Sequence, residues 1–349
     1  MSDTAHPLLP AATPLLRSAT DLQVGGVDTT DGLLVSPRPE GLAALLRGLD
    51  GRRAQRAVVA DAAGHGLDAA TVTAVLDELR AARLLLDLDA ADLLATGAGP
   101  AAAARLAAEL PPVAGWRARR AASVVVDGAT RVGTPLAAVL AASGVGRVSV
   151  RDDGPTQAGD AVVGGATTAD EGRPRALAAA DAVRRANPLT DLRPPTGTTS
   201  PDLVVLARPW AASDPTAAGW SRAGVAHLVA TVRGATGVVG PLVVPGVTSC
   251  LRCADLHRRD ADPRWPQLAA QLTAADPPPS GATVTCLLTA ATAAVQVLGY
   301  LDGTAAPAAL DATLELTPPD LVPRVRRWTP HAECGCAQRA DVSTGDNGR

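Results

Sequence analysis

The chain has 349 residues and a formal net charge of −3, so it is long enough for two or three domains of ordinary size. All of its 32 basic residues are arginine, and they are interspersed with acidic residues rather than gathered in a stripe, which argues against nucleic acid as a partner. With no Phe and a single Met, the core has to be built from Ala, Val and Leu.

The start of the chain lacks the charged and apolar regions of a signal peptide. We also find no apolar stretch of about 18 residues that is free of charges and helix breakers, and so expect no membrane span. These patterns predict a cytoplasmic protein. Thiols stay reduced in that compartment, so clustered cysteines there favour metal binding over disulfides.

Residues 1–90 are predicted to form a small α+β domain. Two short strands, DLQVGG and DGLLVS, flank a turn at residues 28–31. Three amphipathic helical stretches follow, the last of them starting after the N-cap residue Asp68, and LLLDLD closes the domain as a strand. This order of elements is typical of a winged-helix-like module. An Ala-rich linker over residues 91–115 comes next.

Residues 116–337 alternate between strands and helices, beginning with ASVVVDG, TPLAAVLAASG and RVSVRDD. Uninterrupted apolar strands joined by helices predict a Rossmann-like, mostly parallel sheet with helices on both faces. Further on we expect a hairpin beside that sheet, a long helix that ends near Gly303 and two late antiparallel strands. The polar residues 338–349 are predicted to be a disordered tail.

Two close cysteine pairs point to a metal site. Cys250 and Cys253 form one pair, Cys334 and Cys336 form the other, and both are expected on loops. Four thiolates from two such pairs are what tetrahedral zinc requires, so we predict a structural zinc ion. The alternatives are a set of unrelated buried cysteines, or a site in which His331 replaces one thiol. The fifth cysteine is expected to be a small buried apolar residue.

A second candidate site lies in the turn after the strand ASVVVDG. Gly128 and Gly133 match part of a G-x-G-x-x-G nucleotide motif, with Thr130 in place of the middle glycine. Asp152, at the end of the next strand, stands where an acidic residue would bind ribose hydroxyls. Two interpretations stay open: a remnant nucleotide site, or a tight strand-to-helix turn with an acidic cap.

Together, the strand–turn–helix segment, the phrase P-G-x-T-x-C-x-x-C at residues 245–253 and the ending WTPHAECGC resemble the ThiF-type, ubiquitin-activating-enzyme-like superfamily. The N-terminal domain is similar to the peptide clamps that bind leader peptides of ribosomally made natural products. In this order the two domains resemble partner proteins of bacteriocin or thiazole/oxazole-peptide cyclodehydratases. The resemblance implies a Rossmann-like ATP site, a structural zinc ion held by the four cysteines, and a homodimer.

The resemblance also implies adenylation of a carboxylate, but the residues for that chemistry are missing. The family motif D-x-D-x-V-x-x-x-N-L-x-R-Q, started at Asp152, places Gly154 at the second Asp, Asp160 at the Asn and Val163 at the Arg. The chain has no lysine to act as the family's catalytic lysine. Where the magnesium-binding Asp should follow its strand, the sequence has Arg208 and then Pro-Trp.

Three other arginines, Arg131, Arg147 and Arg151, lie near the turn and could replace the lost cations. We interpret them instead as solvated surface arginines. Losing several electrostatic donors should nearly abolish adenylyl transfer, since one donor is commonly worth a factor of about a hundred or more. We therefore expect a catalytically degenerate protein, with ATP kept as an alternative cofactor.

The leading hypothesis is a binding protein. Its N-terminal domain adds a precursor (leader) peptide to a strand edge. Its ThiF-type domain presents that peptide to a partner modifying enzyme, such as a cyclodehydratase, in bacteriocin or related biosynthesis. The alternative is an ATP-dependent adenylyltransferase that activates a peptide or carrier-protein carboxylate. A nicotinamide-dependent oxidoreductase is a third hypothesis, motivated only by the partial glycine motif and Asp152.

Overall fold

The computed structural model describes residues 5–9, 14–26, 32–88, 115–196, 199–208, 215–273, 280–303 and 305–336. The chain divides into two compact units, Met1–Trp116 and Arg117–Arg349. The predicted tail at 338–349 and the predicted linker, apart from Gly115, lie outside the described residues.

The N-terminal unit is a small α+β domain, as predicted. Its described strands are β1 (His6–Leu8), β2 (Pro14–Leu16), β3 (Leu22–Val24), β4 (Leu33–Val35) and β5 (Leu86–Leu88). Its described helices are α1 (Leu42–Arg47), α2 (Gln55–Asp61) and α3 (Ala69–Ala81). Strands β2, β3 and β4 form an antiparallel sheet in that order, while β1 pairs with β5. The sequence did not indicate β1 and β2, because each is short and contains a proline.

The core of the N-terminal unit forms where the helices meet the small sheet. Leu42 and Leu76 are fully buried against Leu22 and Val24 of β3. The predicted N-cap is present, since the carboxylate of Asp68 accepts a hydrogen bond from the backbone N–H of Thr71 at 2.8 Å. The helical period of buried residues and the cap therefore specify α3 together.

The second unit carries the Rossmann-like layers. Its described strands are β6 (Ser123–Asp127), β7 (Arg147–Arg151), β8 (Leu203–Leu206), β9 (Ala226–Arg233), β10 (Thr236–Val243), β11 (Ala312–Leu316) and β12 (Pro323–Arg327). Its described helices are α4 (Gly115–Ala121), α5 (Gly133–Ala142), α6 (Arg175–Ala186), α7 (Pro215–Arg222), α8 (Leu251–Ala261), α9 (Trp265–Thr273) and α10 (Thr283–Asp302).

These strands form one seven-stranded sheet in the order β12-β11-β10-β9-β8-β6-β7. The neighbours from β7 to β9 are parallel, and β10, β11 and β12 continue the sheet in antiparallel fashion. Most strands thus run in one direction, as predicted. The hairpin β9–β10 is part of the main sheet rather than beside it, because β9 pairs directly with β8.

Helices cover both faces of the sheet. Val124 and Val126 of β6 belong to a core cluster with Leu136 and Leu140 of α5. Val125, between them in sequence, packs in a second cluster with residues of α7 and α8. Because side chains alternate along a strand, an unbroken run of valines supplies both cores.

Helix α10 corrects one expectation from the sequence. Its 20 residues are long and apolar enough to cross a membrane, so an apolar stretch of that length does occur. The helix packs on the sheet, with Ala290, Ala293 and Val297 in the main core cluster. It ends at Gly303, whose left-handed φ of 63° stops the helix. Its composition is therefore explained by burial inside the unit.

Candidate functional site

The four predicted cysteines converge beside the start of α8. Cys250 is the N-cap residue of α8 and Cys253 lies in its first turn, so the expectation that both pairs sit on loops is wrong for the first pair. Cys334 and Cys336 lie in a turn after β12. We call these four residues the cysteine cluster, and all four Sγ atoms lie within 4.8 Å of one another.

The spacing of the sulfurs fits one tetrahedral metal ion. Sγ of Cys250 is 3.9 Å from that of Cys253 and 3.5 Å from that of Cys334, and Sγ of Cys253 is 3.3 Å from that of Cys336. Four sulfurs about 2.3 Å from a zinc ion would be about 3.8 Å apart. None of these thiols is in a disulfide. The donor set is therefore one that could hold zinc.

The surroundings of the cluster also suit a thiolate site. The backbone N–H of His331 points at Sγ of Cys253 at 3.4 Å. The hydrogen bond from Cys250 lowers the pKa of Cys253 to about 4, while burial raises the pKa of Cys336 to about 11. A metal ion would have to displace the protons that remain.

His331 does not join the sulfurs. Its Nε2 is 2.8 Å from Oδ2 of Asp260, and its Nδ1 accepts a hydrogen bond from the backbone N–H of Glu333. Both ring nitrogens are thus engaged elsewhere. Cys286 is fully buried in the main core, where burial raises its pKa, as expected of an apolar residue.

The second candidate site is the turn of residues 127–133 between β6 and α5, which we call the glycine turn. Gly128 has a φ of +117° and donates its N–H to the carbonyl of Arg151. A methyl group on Gly133 would come within 2.0 Å of the carbonyl oxygen of Gly128. The left-handed φ of Gly128 and the close approach of Gly133 to the carbonyl of Gly128 therefore account for the two glycines without a nucleotide.

Thr130 fills the place where a phosphate would meet the start of α5. Its hydroxyl accepts the N–H groups of Gly133 at 3.0 Å and Val132 at 3.3 Å, and donates to the carbonyl of Ala207 at 3.0 Å. Free N–H groups at a helix start are what attract a phosphate. Here two of them already have an acceptor.

Asp152 is likewise engaged within the chain. Its side chain is 5% exposed, and its carboxylate accepts the N–H groups of Ala129 at 2.9 Å and Gly154 at 3.0 Å. These bonds describe an acidic cap that fixes the glycine turn to the end of β7. Whether ribose hydroxyls ever bind there stays a prediction.

Two arginines that the sequence did not assign complete this site. Arg175 is buried, with its Nε 2.9 Å from Asp160 and its Nη1 3.9 Å from Asp152. Arg208 lies across Gly128, with its Nη2 3.3 Å from Asp127. Its side chain is 46% exposed and covers the glycine turn from outside. The position of Arg208 was noticed in the sequence, but its partners are distant in the chain.

The interpretation of the other three arginines needs one correction. Arg131 is not a solvated surface residue, since it donates to the carbonyl of Gly281 and to the hydroxyl of Thr283, both at 2.7 Å. It therefore ties the glycine turn to the start of α10. Arg147 pairs with Asp191 at 3.0 Å, and Arg151 is exposed. Pro209 and Trp210, which follow Arg208 where the family's magnesium-binding Asp was expected, lie outside the described residues.

The chain resembles known proteins in sequence and in structure. The sequence model of the ThiF family matches residues 104–336, which include the glycine turn and the cysteine cluster. No curated protein sequence matches.

Several solved structures share the fold. The microcin C7 biosynthetic enzyme MccB in complex with N-formylated MccA aligns with a TM-score of 0.57 at 14% identity, over 95% of this chain and 99% of that one. E. coli MccB with ATP gives the same values. PaaA aligns with a TM-score of 0.53 at 18% identity, over 74% of this chain and 92% of its own.

Proposed function

The chain belongs to the ThiF family, and from this premise we propose that it binds a precursor peptide and presents it to a partner modifying enzyme. The product would be a ribosomally made peptide of the bacteriocin kind, and the protein would act in the cytoplasm as a homodimer. MccB, which aligns along nearly its whole length with this chain, has been crystallised with N-formylated MccA. An N-formyl group marks a ribosomally initiated chain, which supports a peptide ligand.

The filled glycine turn is the main observation that supports a non-catalytic protein. Thr130 accepts the helix N–H groups, and Arg208 covers Gly128. Arg175 and Arg208 are engaged by carboxylates, and Arg131 is engaged by Gly281 and Thr283. A triphosphate needs free donors and cations at that place. Among the described residues, the three arginines and two helix N–H groups at the turn already have partners, and the chain has no lysine.

The N-terminal unit offers a strand edge for the peptide. Within the described residues no strand pairs with the outer side of β4 or of β2. Strand β2 is the poorer edge, because Pro14 has no N–H to donate and its carbonyl already accepts from Arg47 at 3.4 Å. We therefore assign the peptide to β4, by the strand addition that many peptide-binding domains use.

The exposed face of the small sheet suits side chains of such a peptide. Leu15 and Leu34 flank Gln23 in one row across the three strands. Both leucines are substantially exposed, Leu34 at 49%. An added strand would cover Leu34 on one side, so apolar residues in the peptide would gain a contact.

Calorimetry of the full chain with leader peptides encoded beside its gene tests this proposal. We expect binding that Leu34→Asp weakens about tenfold, since a carboxylate would face the apolar contact. Leu189→Asp is the matched control, because Leu189 is similarly exposed, at 57%, but lies in the second unit. Uniform absence of peptide binding would refute the proposal, and light scattering of the same sample tests the homodimer.

We infer a structural role for the cysteine cluster, with zinc as its metal. The cluster joins the start of α8 to the turn after β12, so a bound ion would fix the last part of the chain on the unit. All four tetrahedral positions are taken by thiols, which leaves none open for a substrate.

The alternative function, adenylation of a peptide or carrier-protein carboxylate, is supported by the alignment with E. coli MccB that was crystallised with ATP. Pyrophosphate exchange that depends on a peptide distinguishes the two. Exchange above background would replace our proposal with this alternative, whereas peptide binding without exchange supports the binding protein.

A further inference from the structure

Helix α10 is apolar on both of its faces. The inner face packs in the main core cluster. The outer face carries four exposed apolar residues, which we call the α10 stripe: Val284, Leu288, Ala291 and Val295. Val284 is 66% exposed and Val295 is 64% exposed. A helix that is apolar all round is typical of one buried on every side, so the stripe has the composition of a buried surface although it is exposed in the single chain.

The neighbouring helix α5 extends the uncharged surface. Helices α5 and α10 pack against each other in the same core cluster. Together they contain one charged residue, Asp302, whose side chain is 5% exposed and paired with Arg119. The exposed residue of α5 is Val139, which is apolar as well. Exposed apolar surface of this kind marks an interaction site, and it offers no charge by which an acidic or basic partner could be selected.

The order of residues in the α10 stripe matches a second copy of itself. Successive members are four, three and four positions apart, which is the spacing of a coiled-coil seam and reads the same from either end. A two-fold axis midway between residues 289 and 290 would place Val284 opposite Val295 of a second copy. The same axis would place Leu288 opposite Ala291 of the second copy, so that a large side chain meets a small one.

We propose that the α10 stripe is the surface through which two copies of this chain pair, with their α10 helices antiparallel about a two-fold axis. A two-fold interface uses the same patch on both chains, and a stripe with a symmetric order suits that requirement. The inference rests on the homodimer of the proposed function and names the surface that forms it. It does not depend on peptide binding by the N-terminal unit.

Analytical ultracentrifugation of the full chain tests the proposal. We expect two chains per particle for the wild type. Val284→Glu and Val295→Arg should each weaken the dimer about a hundredfold, because the two-fold axis sets the new charge against an apolar side chain twice. Leu268→Glu is the control, since Leu268 is 48% exposed on another helix, α9, and it should leave the association unchanged.

The double variant Val284→Glu/Val295→Arg tests the antiparallel register. Each new Glu would face a new Arg of the other chain, so we expect the dissociation constant to return to within about tenfold of the wild-type value. Within one chain the two positions are about 16 Å apart along the helix, too far to pair with each other. The recovery should therefore fade as the salt concentration rises, since it comes from charges across the interface.

Melting temperatures show whether each variant is folded. Val284 lies in the first turn of α10, where an acidic residue suits a helix, so Val284→Glu decides the test if Val295→Arg does not fold. Wild-type association in the folded single variants would overturn the interface but leave the homodimer itself standing. An equal loss of association in Leu268→Glu would also overturn it.

Two other results would contradict the proposal in different ways. Weak association of both single variants without recovery in the double variant would overturn the antiparallel pairing. A monomeric wild type would overturn the homodimer and the interface together, and its sedimentation with vesicles of phosphatidylcholine and phosphatidylglycerol would assign the stripe to a membrane surface. Peptide binding is measured separately by calorimetry, so it stands or fails independently of these results.

Discussion

The cysteine cluster and the glycine turn lie in the same unit, but they differ in how well each could bind a ligand. The cluster presents four sulfurs at distances that suit one tetrahedral ion. The turn has its glycines, but Thr130 accepts the N–H of Gly133 that a nucleotide phosphate would need. Arg208 lies over Gly128, in the space that a nucleotide would need. The chemistry of the cluster suits a metal ion, whereas the bonds of the turn are made within the protein.

This difference shows why a shared fold is weak support for a shared activity. Gly133 is required wherever α5 packs this closely on β6, whether or not a phosphate binds. Packing, in contrast, does not require four converging thiols, because a buried Cys packs like any other small apolar residue. The cluster therefore argues for a ligand, whereas the turn argues only for a fold.

The largest expected effect is loss of the metal. Replacing Cys250 and Cys334 together by Ser should abolish zinc binding and lower the free energy of unfolding by several kcal/mol. Structural zinc is worth about 10 kcal/mol or more in small zinc domains, and here it acts on a unit that also has its own core. Metal analysis of the purified wild type should give about one equivalent of zinc, and thermal unfolding measures the stability.

Cys286→Ala is the control for that experiment, because Cys286 is buried in the core away from the cluster. It should leave the zinc content unchanged. Less than about half an equivalent of zinc in the wild type, or unchanged stability in the double variant, would remove the contrast between the two sites.

The sequence predicts the features that depend on neighbouring residues and misses those that depend on distant ones. The cysteine ligands, the N-cap Asp68 and the alternating layers were predictable, because each depends on residue types at short spacing. The hydrogen bond from Arg131 to Gly281 was not, since it joins residues 150 positions apart. Strands β1 and β2 were missed because each is short and contains a proline, so that pairing with another strand, not its own composition, specifies it.

A smaller effect is expected at the glycine turn. Gly133→Ala should cost about 2 kcal/mol, because the added methyl group would overlap the carbonyl of Gly128 and force the backbone to shift. Gly219→Ala is the control, as nothing lies within 4 Å of a methyl group there. Denaturant unfolding without nucleotide measures both. If Gly133→Ala were as stable as the wild type, packing would not explain the glycine, and a nucleotide site would become the better account.

Arg208→Ala should have the smallest effect on stability, but it tests most directly whether the glycine turn is closed to a nucleotide. Arg208 is about half exposed, so losing its pair with Asp127 should cost less than about 1 kcal/mol, similar to Arg184→Ala, which removes an exposed pair with Asp181. We expect no thermal shift with ATP and magnesium in the wild type and only background pyrophosphate exchange in either variant, because Thr130 still holds the helix N–H groups. A thermal shift with ATP and magnesium in the wild type would contradict the difference that we infer between the cysteine cluster and the glycine turn. A shift only in Arg208→Ala would mean that the turn is closed by one side chain and that its nucleotide-binding shape survives beneath it.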